Sequence, residues 1–132
     1  MPLEHIKVSS KGRDQLIKLK RQTGIRHWNI LCRWAFCVSL SEQSIPSAIK
    51  IPNDSSLEMT WKVFGGPYQE LYWALLKQRC ENDGLGSEDE VLGNQFRLHL
   101  HRGIAYLAAD KRLRHIGDLV GRATKDSGEE VR

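Results

Sequence analysis

The sequence contains few cysteines and no long apolar segment. Its three cysteines, Cys32, Cys37 and Cys80, are an odd number in a chain without a signal peptide, which predicts free thiols in a reducing cytosol. No apolar run reaches the roughly 18 residues that a membrane span needs, and the N-terminus lacks signal-peptide architecture. These absences favour a cytoplasmic protein without membrane contact and exclude a disulfide scaffold.

Acidic residues are nearly absent from one part of the chain. Between residues 7 and 33, Asp14 is the one acid among eight basic residues. The eight are Lys7, Lys11, Arg13, Lys18, Lys20, Arg21, Arg26 and Arg33. The whole chain carries a net charge of only +4, so the positive field is concentrated in this stretch. Such a field permits nucleic-acid binding without proving it.

The basic stretch has the pattern of a short strand followed by a helix. Residues 5–9 alternate, with Ile6 and Val8 on one side of a predicted strand. Ser9 or Ser10 can cap the following helix, and Gly24 can end it in a left-handed conformation. We therefore predict one N-terminal strand and a first helix that ends at Gly24.

The predicted first helix is amphipathic. At about 100° per residue, its cationic and apolar residues separate onto opposite sides. The inward side holds Gly12, Leu16, Leu19 and Thr23, and the outward ridge holds Lys11, Lys18 and Arg21. With flanking cations, the predicted DNA-binding residues are Lys7, Lys11, Arg13, Lys18, Lys20 and Arg21. Cations arranged in this way suit phosphate contacts rather than base reading.

A second helix, from Ile30 to Leu40, is too apolar to face solvent. The order strand, helix, helix is that of ribbon-helix-helix proteins, in which two chains pair their strands and bury their second helices together. A lone strand favours this interpretation because its unpaired edge needs a partner. The alternative is an ordinary α+β domain whose basic helix is a solvated surface.

The rest of the chain is predicted to add helices behind a loop. Residues 41–54 form a connection that contains two prolines, and residues 57–64 alternate as a strand or extended segment. A third helix spans about 67–81 with Tyr68, Leu71 and Leu75 as its inner stripe and Tyr72 and Leu76 beside that stripe. A fourth starts with a Ser87–Glu90 capping box and continues to about Ala109. Residues 1–122 are expected to form one domain and residues 123–132 a disordered tail.

No arrangement of residues in the sequence matches a catalytic or metal site. His99 and His101 are two apart on a predicted helix, so they point about 200° apart and cannot share a metal. Asp54, Glu58 and Lys62 fit no metal-nuclease spacing, and no nucleophile–base pair is recognisable. We predict no catalytic residue, metal or cofactor, although a DNA-nicking nuclease stays open as an alternative.

Two further groups of residues have competing interpretations. The tryptophans and neighbouring aromatic residues resemble a base-stacking set, but their apolar surroundings favour a core and a subunit interface. Arg33 lies inside the apolar second helix, so it needs an acidic or carbonyl partner, with a contact across subunits as one option.

Three long stretches resemble the DndE family of DNA sulfur-modification proteins. They are DQLIKLKRQTGIRHWNILCRWAFCVSL, EMTWKVFGGPYQELYWALLKQRC and the helix containing QFRLHLHRGIAYLA. Together the resemblance covers about residues 4–121. It implies a ribbon-helix-helix variant that forms oligomers, including tetramers, and binds double-stranded DNA with a preference for nicked duplex. It also implies other system proteins as partners: a cysteine desulfurase, an iron–sulfur protein and an ATPase.

The resemblance further implies a non-catalytic role, because DndE is not the enzyme credited with placing sulfur on the phosphate. The family's DNA contacts are attributed to surface lysines, which correspond here only to the basic helix and its strand. The expected function is backbone binding of duplex DNA in the service of phosphorothioation. A sequence-specific repressor that reads bases with His5, Lys7 and Ser9 is the main alternative.

Overall fold

A computed structural model describes residues 4–113, 115 and 117–121. In chain order the elements are β1 (Ile6–Lys7), α1 (Ser10–Thr23), α2 (Trp28–Ser41), β2 (Glu58–Met59), α3 (Trp61–Gly65), a 3-10 turn (Gly66–Tyr68), α4 (Gln69–Asn82) and α5 (Asp89–Ala109). Residues 117–121 form a further helical turn. The predicted mainly helical fold, with an N-terminal strand and additional C-terminal helices, is confirmed. The expected tail, 123–132, lies outside the described residues.

Local chemistry sets both ends of α1. The Ser9 hydroxyl oxygen accepts a hydrogen bond from the Gly12 N–H at 3.0 Å, which satisfies one of the free donors of the first turn. Gly24 ends the helix with a φ of 75°, and its N–H donates to the Lys20 carbonyl. The four residues predicted to face inward on α1 are all buried, so the amphipathic prediction for this helix is confirmed.

The short strand β1 has its partner within the same chain. It pairs antiparallel with β2, with Ile6 opposite Met59 and Lys7 opposite Glu58. The expectation that the strand needs a second chain was wrong, because the alternating segment after residue 57 supplies the pairing. That segment does not continue as a strand, since the Thr60 hydroxyl caps α3 by accepting the Val63 N–H at 3.1 Å.

The apolar side of α2 is covered by α5. Gly103 on α5 makes this packing possible, because a β-carbon there would lie 1.7 Å from the Ala35 carbonyl oxygen of α2. We expected a second chain to cover α2; instead the longest helix of the same chain does so. The contact is therefore a backbone-to-backbone approach that only glycine permits.

Aromatic rings fill the centre of the core. Phe36, Trp61, Phe64 and Phe96 are all buried, and Phe64 packs edge-on against Phe96 with ring centroids 4.9 Å apart. Such edge-to-face contacts are favourable beyond the area that they bury. For Trp61, Phe64 and Phe96 the predicted core role is confirmed, and these rings are not open to stacking bases.

Helix α4 presents a different side to the core than we predicted. Tyr68, Leu71 and Leu75 are exposed, while Leu76 and Cys80 are buried. The predicted inner stripe was therefore wrong. Because α4 carries apolar residues on two sides, its periodicity could not choose which one packs inward.

The start of α5 also differs from the sequence prediction. The helix begins at Asp89 with Glu88 as its N-cap residue, and no side chain caps it, so the Ser87–Glu90 capping box does not form. Asp89 and Glu90 still lie in the first turn, where their negative charges interact favourably with the helix dipole. Among the residues with a described position, no helix is long and apolar enough to cross a membrane.

Candidate nucleic-acid interface

The six predicted DNA-binding residues lie on β1 and along α1. Lys7 is on the strand, Lys11 and Arg13 are in the first turn of the helix, Lys18 is near its middle, and Lys20 and Arg21 are in its last turn. All are exposed except Lys20, which is partly buried. The structure thus places them on two adjoining elements, and we call this set the α1 cationic surface.

Four members of the α1 cationic surface have free charged ends. No hydrogen bond or ion pair joins the side chains of Lys7, Lys11, Arg13 or Arg21 to any other described residue. A cation with no internal partner keeps its full charge available to an external anion. These four are the members best placed to contact phosphate.

The other two members make weak internal contacts. The Lys18 ammonium group donates to the Ala108 carbonyl at 3.1 Å, near the C-terminal end of α5. The Lys20 ammonium group lies 4.0 Å from the centre of the Trp28 ring, a cation–π contact worth about 0.5–1 kcal/mol at an exposed site. Both contacts are weak enough to be exchanged for a phosphate.

Arg26 extends the same stretch, although it was not in the predicted set. It lies in the loop between α1 and α2, is exposed, and has no partner among residues with described side chains. The excess of cations between residues 7 and 33 already included it. Arg26 lies outside the predicted set because Gly24 ends the helix before it.

Three other arginines are hydrogen-bonded within the fold. Arg79, Arg97 and Arg102 donate to backbone carbonyl groups of the connection between α2 and β2 and its flanks. Arg97, for example, bonds the Ile51 and Pro52 carbonyls at 3.0 and 2.9 Å. Net charge alone therefore overstates the number of cations that a ligand can reach.

Arg33 has a carbonyl partner, one of the two kinds predicted, and that partner is in the same chain. Its guanidinium donates to the carbonyls of Phe64 and Val63 at the end of α3. Asn29, also on α2, donates to the Val63 carbonyl at 3.1 Å. The described contacts of Arg33 thus cap a short helix, where positive charge opposes the helix dipole.

The two histidines of α5 occupy separate environments. His99 is buried, and its Nδ1 lies 2.8 Å from the Ser39 hydroxyl. Burial, reinforced by the charges of Arg79 and Arg102, lowers the pKa of His99 to about 4. His101 accepts the Ser9 N–H at its Nε2 and contacts the Arg97 carbonyl through Nδ1. Both rings therefore serve the fold.

The acidic residues and cysteines that were considered for a catalytic or metal site do not form a metal-binding group in the described part of the chain. Asp54 accepts the Ser10 N–H at 2.7 Å, at the start of α1. Within the described ranges, no group of three or more His, Cys, Asp or Glu residues is arranged to hold a metal ion. All three cysteines are free thiols, as predicted, and burial raises the pKa of Cys32 to about 12.

The base-reading alternative loses one of its three residues. Ser9 is buried, and its hydroxyl caps α1. His5 and Lys7 stay exposed. Because Ser9 is used as a helix cap, only two of the three proposed base-reading residues can reach a groove. Two residues provide little discrimination between bases.

An apolar surface lies along the 3-10 turn and α4. Tyr68 is 61% exposed, Leu71 56% and Leu75 39%, at helical spacings of three and four residues. Val63, at the end of α3, is 51% exposed. We call these four residues the α4 patch. Exposed apolar side chains grouped at such spacings are typical of surfaces through which proteins associate.

Comparisons with known proteins give one consistent match. The family model described as "DndE: DNA sulphur modification protein" matches residues 5–115. The crystal structure of DndE from Escherichia coli B7A, involved in DNA phosphorothioation modification, is similar with a TM-score of 0.66 and 27% sequence identity. The similarity covers 79% of this chain and 95% of that chain.

A second solved structure, of a DndE variant with glycine-to-lysine substitutions that is involved in DNA phosphorothioation, gives a TM-score of 0.60. Its sequence identity is again 27%, with 79% of this chain and 95% of that chain covered. No curated protein sequence matches this chain.

Proposed function

Because the chain belongs to the DndE family of DNA sulphur modification proteins, we propose that it is a non-catalytic component of DNA phosphorothioation that binds duplex DNA. It holds the sugar–phosphate backbone with the α1 cationic surface and does not read base sequence. The observation that carries this proposal is the set of four exposed cations on β1 and α1 without internal partners.

The dimensions of α1 suit backbone binding. A helix rises about 1.5 Å per residue, so Lys11 and Arg21 lie about 15 Å apart along its axis. Phosphates recur about every 3.4 Å of duplex axis on one strand, and the ridge therefore spans several of them. Lysine and arginine at such positions fix a protein on DNA without supplying sequence information.

The proposed preference for nicked duplex follows from the family resemblance and from DNA mechanics. An intact duplex is stiff, and bending a short site costs on the order of 1–6 kcal/mol. A nick interrupts one strand and reduces that cost. An oligomer contacts phosphates through several subunits, so its affinity gains most when the duplex can bend to meet all of them.

We further propose that the chain acts as a homo-oligomer, a dimer or tetramer, that assembles through the α4 patch. The patch is apolar and exposed, and it lies on elements other than β1 and α1. Self-association there buries the patch and leaves the cationic surface open. Other proteins of the phosphorothioation system are the expected further partners.

The test of DNA binding removes charge from the outward ridge of α1. In the triple variant Lys11→Gln, Lys18→Gln and Arg21→Gln, the affinity for duplex should fall, because three phosphate contacts are lost. The slope of log affinity against log salt should decrease by about 2 to 3. The measurement is fluorescence anisotropy with intact, gapped and nicked duplexes at two salt concentrations.

The matched control changes three exposed lysines on other elements, Lys50, Lys62 and Lys77, to glutamine. It removes the same charge, so a general loss of positive potential would weaken both triple variants equally. An unchanged affinity of the α1 variant would show that DNA binds elsewhere. Incubation of the wild-type chain with supercoiled plasmid and magnesium or manganese tests the nuclease alternative, and we expect no nicked product.

A further inference from the structure

The connection between α2 and β2 covers a cleft. Residues 45–52, which we call the strap, face the start of α1 and the middle of α5 across a cavity of about 550 Å³. Its apolar lining comes from Gly12, Leu98 and Ala105 on the helices and from Pro46, Ile49 and Ile51 on the strap. A volume of this size is within the usual range for binding pockets.

Arginine side chains hold the strap from both ends. Near its start, Arg102 donates to the Ser44 carbonyl at 2.9 Å, and Arg79 donates to the same oxygen at 2.8 Å. Near its end, Arg97 binds the carbonyls of Ile51 and Pro52. Because these bonds are charge-assisted, the cleft is preformed rather than dependent on a ligand to open it.

The cleft has a positive rim. Lys11 and Lys50 line it, are exposed, and form no ion pair with any described residue. The one acid in the lining, Asp54, is bound to the Ser10 N–H, and both nitrogens of His101 are occupied. The surroundings therefore complement an apolar group with negative charge beside it.

The strap also offers free backbone groups. Within it, one backbone hydrogen bond is formed, from the Ile49 N–H to the Ser47 carbonyl at 2.8 Å. The N–H groups of Lys50 and Ile51 have no partner in the described part of the chain. Ile49 is 64% exposed and Ile45 46%. A small solute inside the cleft would leave these groups open, whereas a peptide laid along the strap could cover them.

We propose that this cleft is a docking site for an acidic peptide segment of a partner protein. An apolar side chain of the segment enters the cleft, its carboxylates lie at Lys11 and Lys50, and its backbone pairs with the strap. The site is distinct from the α4 patch and does not depend on the proposed DNA binding, although Lys11 is common to both surfaces.

The probe is a short fluorescein-labelled peptide of alternating glutamate and leucine, with its lysine–leucine counterpart as the charge-reversed comparison. Fluorescence polarisation with the full chain should show saturable binding of the acidic peptide alone. Lys50→Glu should weaken it about tenfold or more, which corresponds to about 1.4 kcal/mol or more. Lys77→Glu, an exposed lysine of α4 outside the cleft, should leave binding unchanged.

A second variant tests the apolar part of the site. Ala105→Leu adds bulk inside the cleft, on a helix that accepts leucine readily, and should weaken peptide binding while the melting temperature and duplex affinity persist. Lys50→Glu should likewise retain nearly wild-type duplex affinity, since Lys50 is outside the α1 cationic surface. Since peptide binding and duplex affinity are measured on the same variants, the peptide site is tested separately from the proposed DNA binding.

The location of the bound peptide decides between the remaining outcomes. Amide NMR shifts should concentrate at Lys50, Ile51 and the cleft-facing part of α5. Shifts centred on the α4 patch would assign the peptide to the self-association surface and overturn the proposal. Equal binding of both peptides, or equal binding to Lys50→Glu and wild type, would overturn it as well.

Discussion

His99 is a buried base that packs against Phe36 and belongs to a hydrogen-bond network with Ser39 and Arg102. Its ring packs edge-on to Phe36 with centroids 6.3 Å apart, and Nδ1 lies 2.8 Å from the Ser39 hydroxyl, which also accepts the Arg102 Nε–H at 2.8 Å. Because the Ser39 hydroxyl oxygen accepts from Arg102, its O–H group is free to donate a hydrogen bond to Nδ1 of His99. The neutral imidazole fits this network, and a charged one does not.

The folded protein should therefore lose stability in mild acid. The pKa of His99 falls from 6.5 to about 4 on folding, so the unfolded chain takes up a proton first as the pH falls below about 6.5. The stability is complete above that pH and is lost progressively toward about pH 4. Between about pH 7 and about pH 5, the free energy of unfolding should drop by about 2 kcal/mol from His99.

Urea unfolding of wild type and His99→Asn at both pH values checks this expectation. Asparagine retains an acceptor for Ser39 without a titrating ring, so the variant should show a smaller pH dependence than wild type. The exposed His27 provides the control, because His27→Asn should keep the full dependence. An unchanged pH dependence in His99→Asn would contradict the assignment. Burial also lowers the pKa of His101, which adds in the same direction.

At the scale of elements, the contact between α2 and α5 organises the fold. The two helices touch backbone to backbone where Gly103 meets Ala35. The buried side of α2 includes Leu31, Ala35 and Phe36. Because both helices present large apolar side chains around this contact, a small increase in their separation would loosen the packing of the entire core.

Gly103→Ala should destabilise the protein by about 3 kcal/mol, the upper part of the usual range for overpacking. The new methyl group would overlap the Ala35 carbonyl unless the helices separate. Chemical denaturation gives the free energy of unfolding. Gly121→Ala is the matched control, since a β-carbon there meets no atom of the described residues within 4 Å, and it should be nearly neutral. Equal stabilities of the two variants would show that the helices are not in close contact.

At the scale of the whole molecule, the α1 cationic surface and the α4 patch lie on different elements. The α1 cationic surface belongs to the N-terminal part of the chain, while the α4 patch belongs to α3, the 3-10 turn and α4. Self-association through the α4 patch would place several copies of the α1 cationic surface on one oligomer. Linked binding sites raise the overall affinity by raising the effective concentration of the second site.

Leu71→Glu combined with Leu75→Glu should therefore reduce the assembly to a monomer, because charges in a buried apolar interface are costly. Analytical ultracentrifugation measures the mass, and fluorescence anisotropy should show a weaker affinity for duplex without any change in α1. Leu85→Glu, an exposed leucine in the loop after α4, should change neither. An unaltered mass of the double variant would place the interface elsewhere.

Predictions from the sequence succeeded where neighbouring residues determine the structure. The cap at Ser9, the end at Gly24 and the two sides of α1 all depend on residues within a few positions of one another, so helical periodicity and turn chemistry were sufficient. The same reasoning placed the six cations on β1 and α1. It also required a partner for Arg33, whose carbonyl acceptors the structure then identified.

The sequence could not predict which of several similar apolar surfaces each strand or helix would pack against. β1 pairs with β2 rather than with a second chain, α2 is covered by α5, and α4 buries Leu76 instead of Leu71. Each outcome depends on residues far apart in the chain competing for the same apolar surface. The sequence by itself determined the cationic helix, and tertiary packing decided which surfaces remain open, because burial is a property of the assembled core.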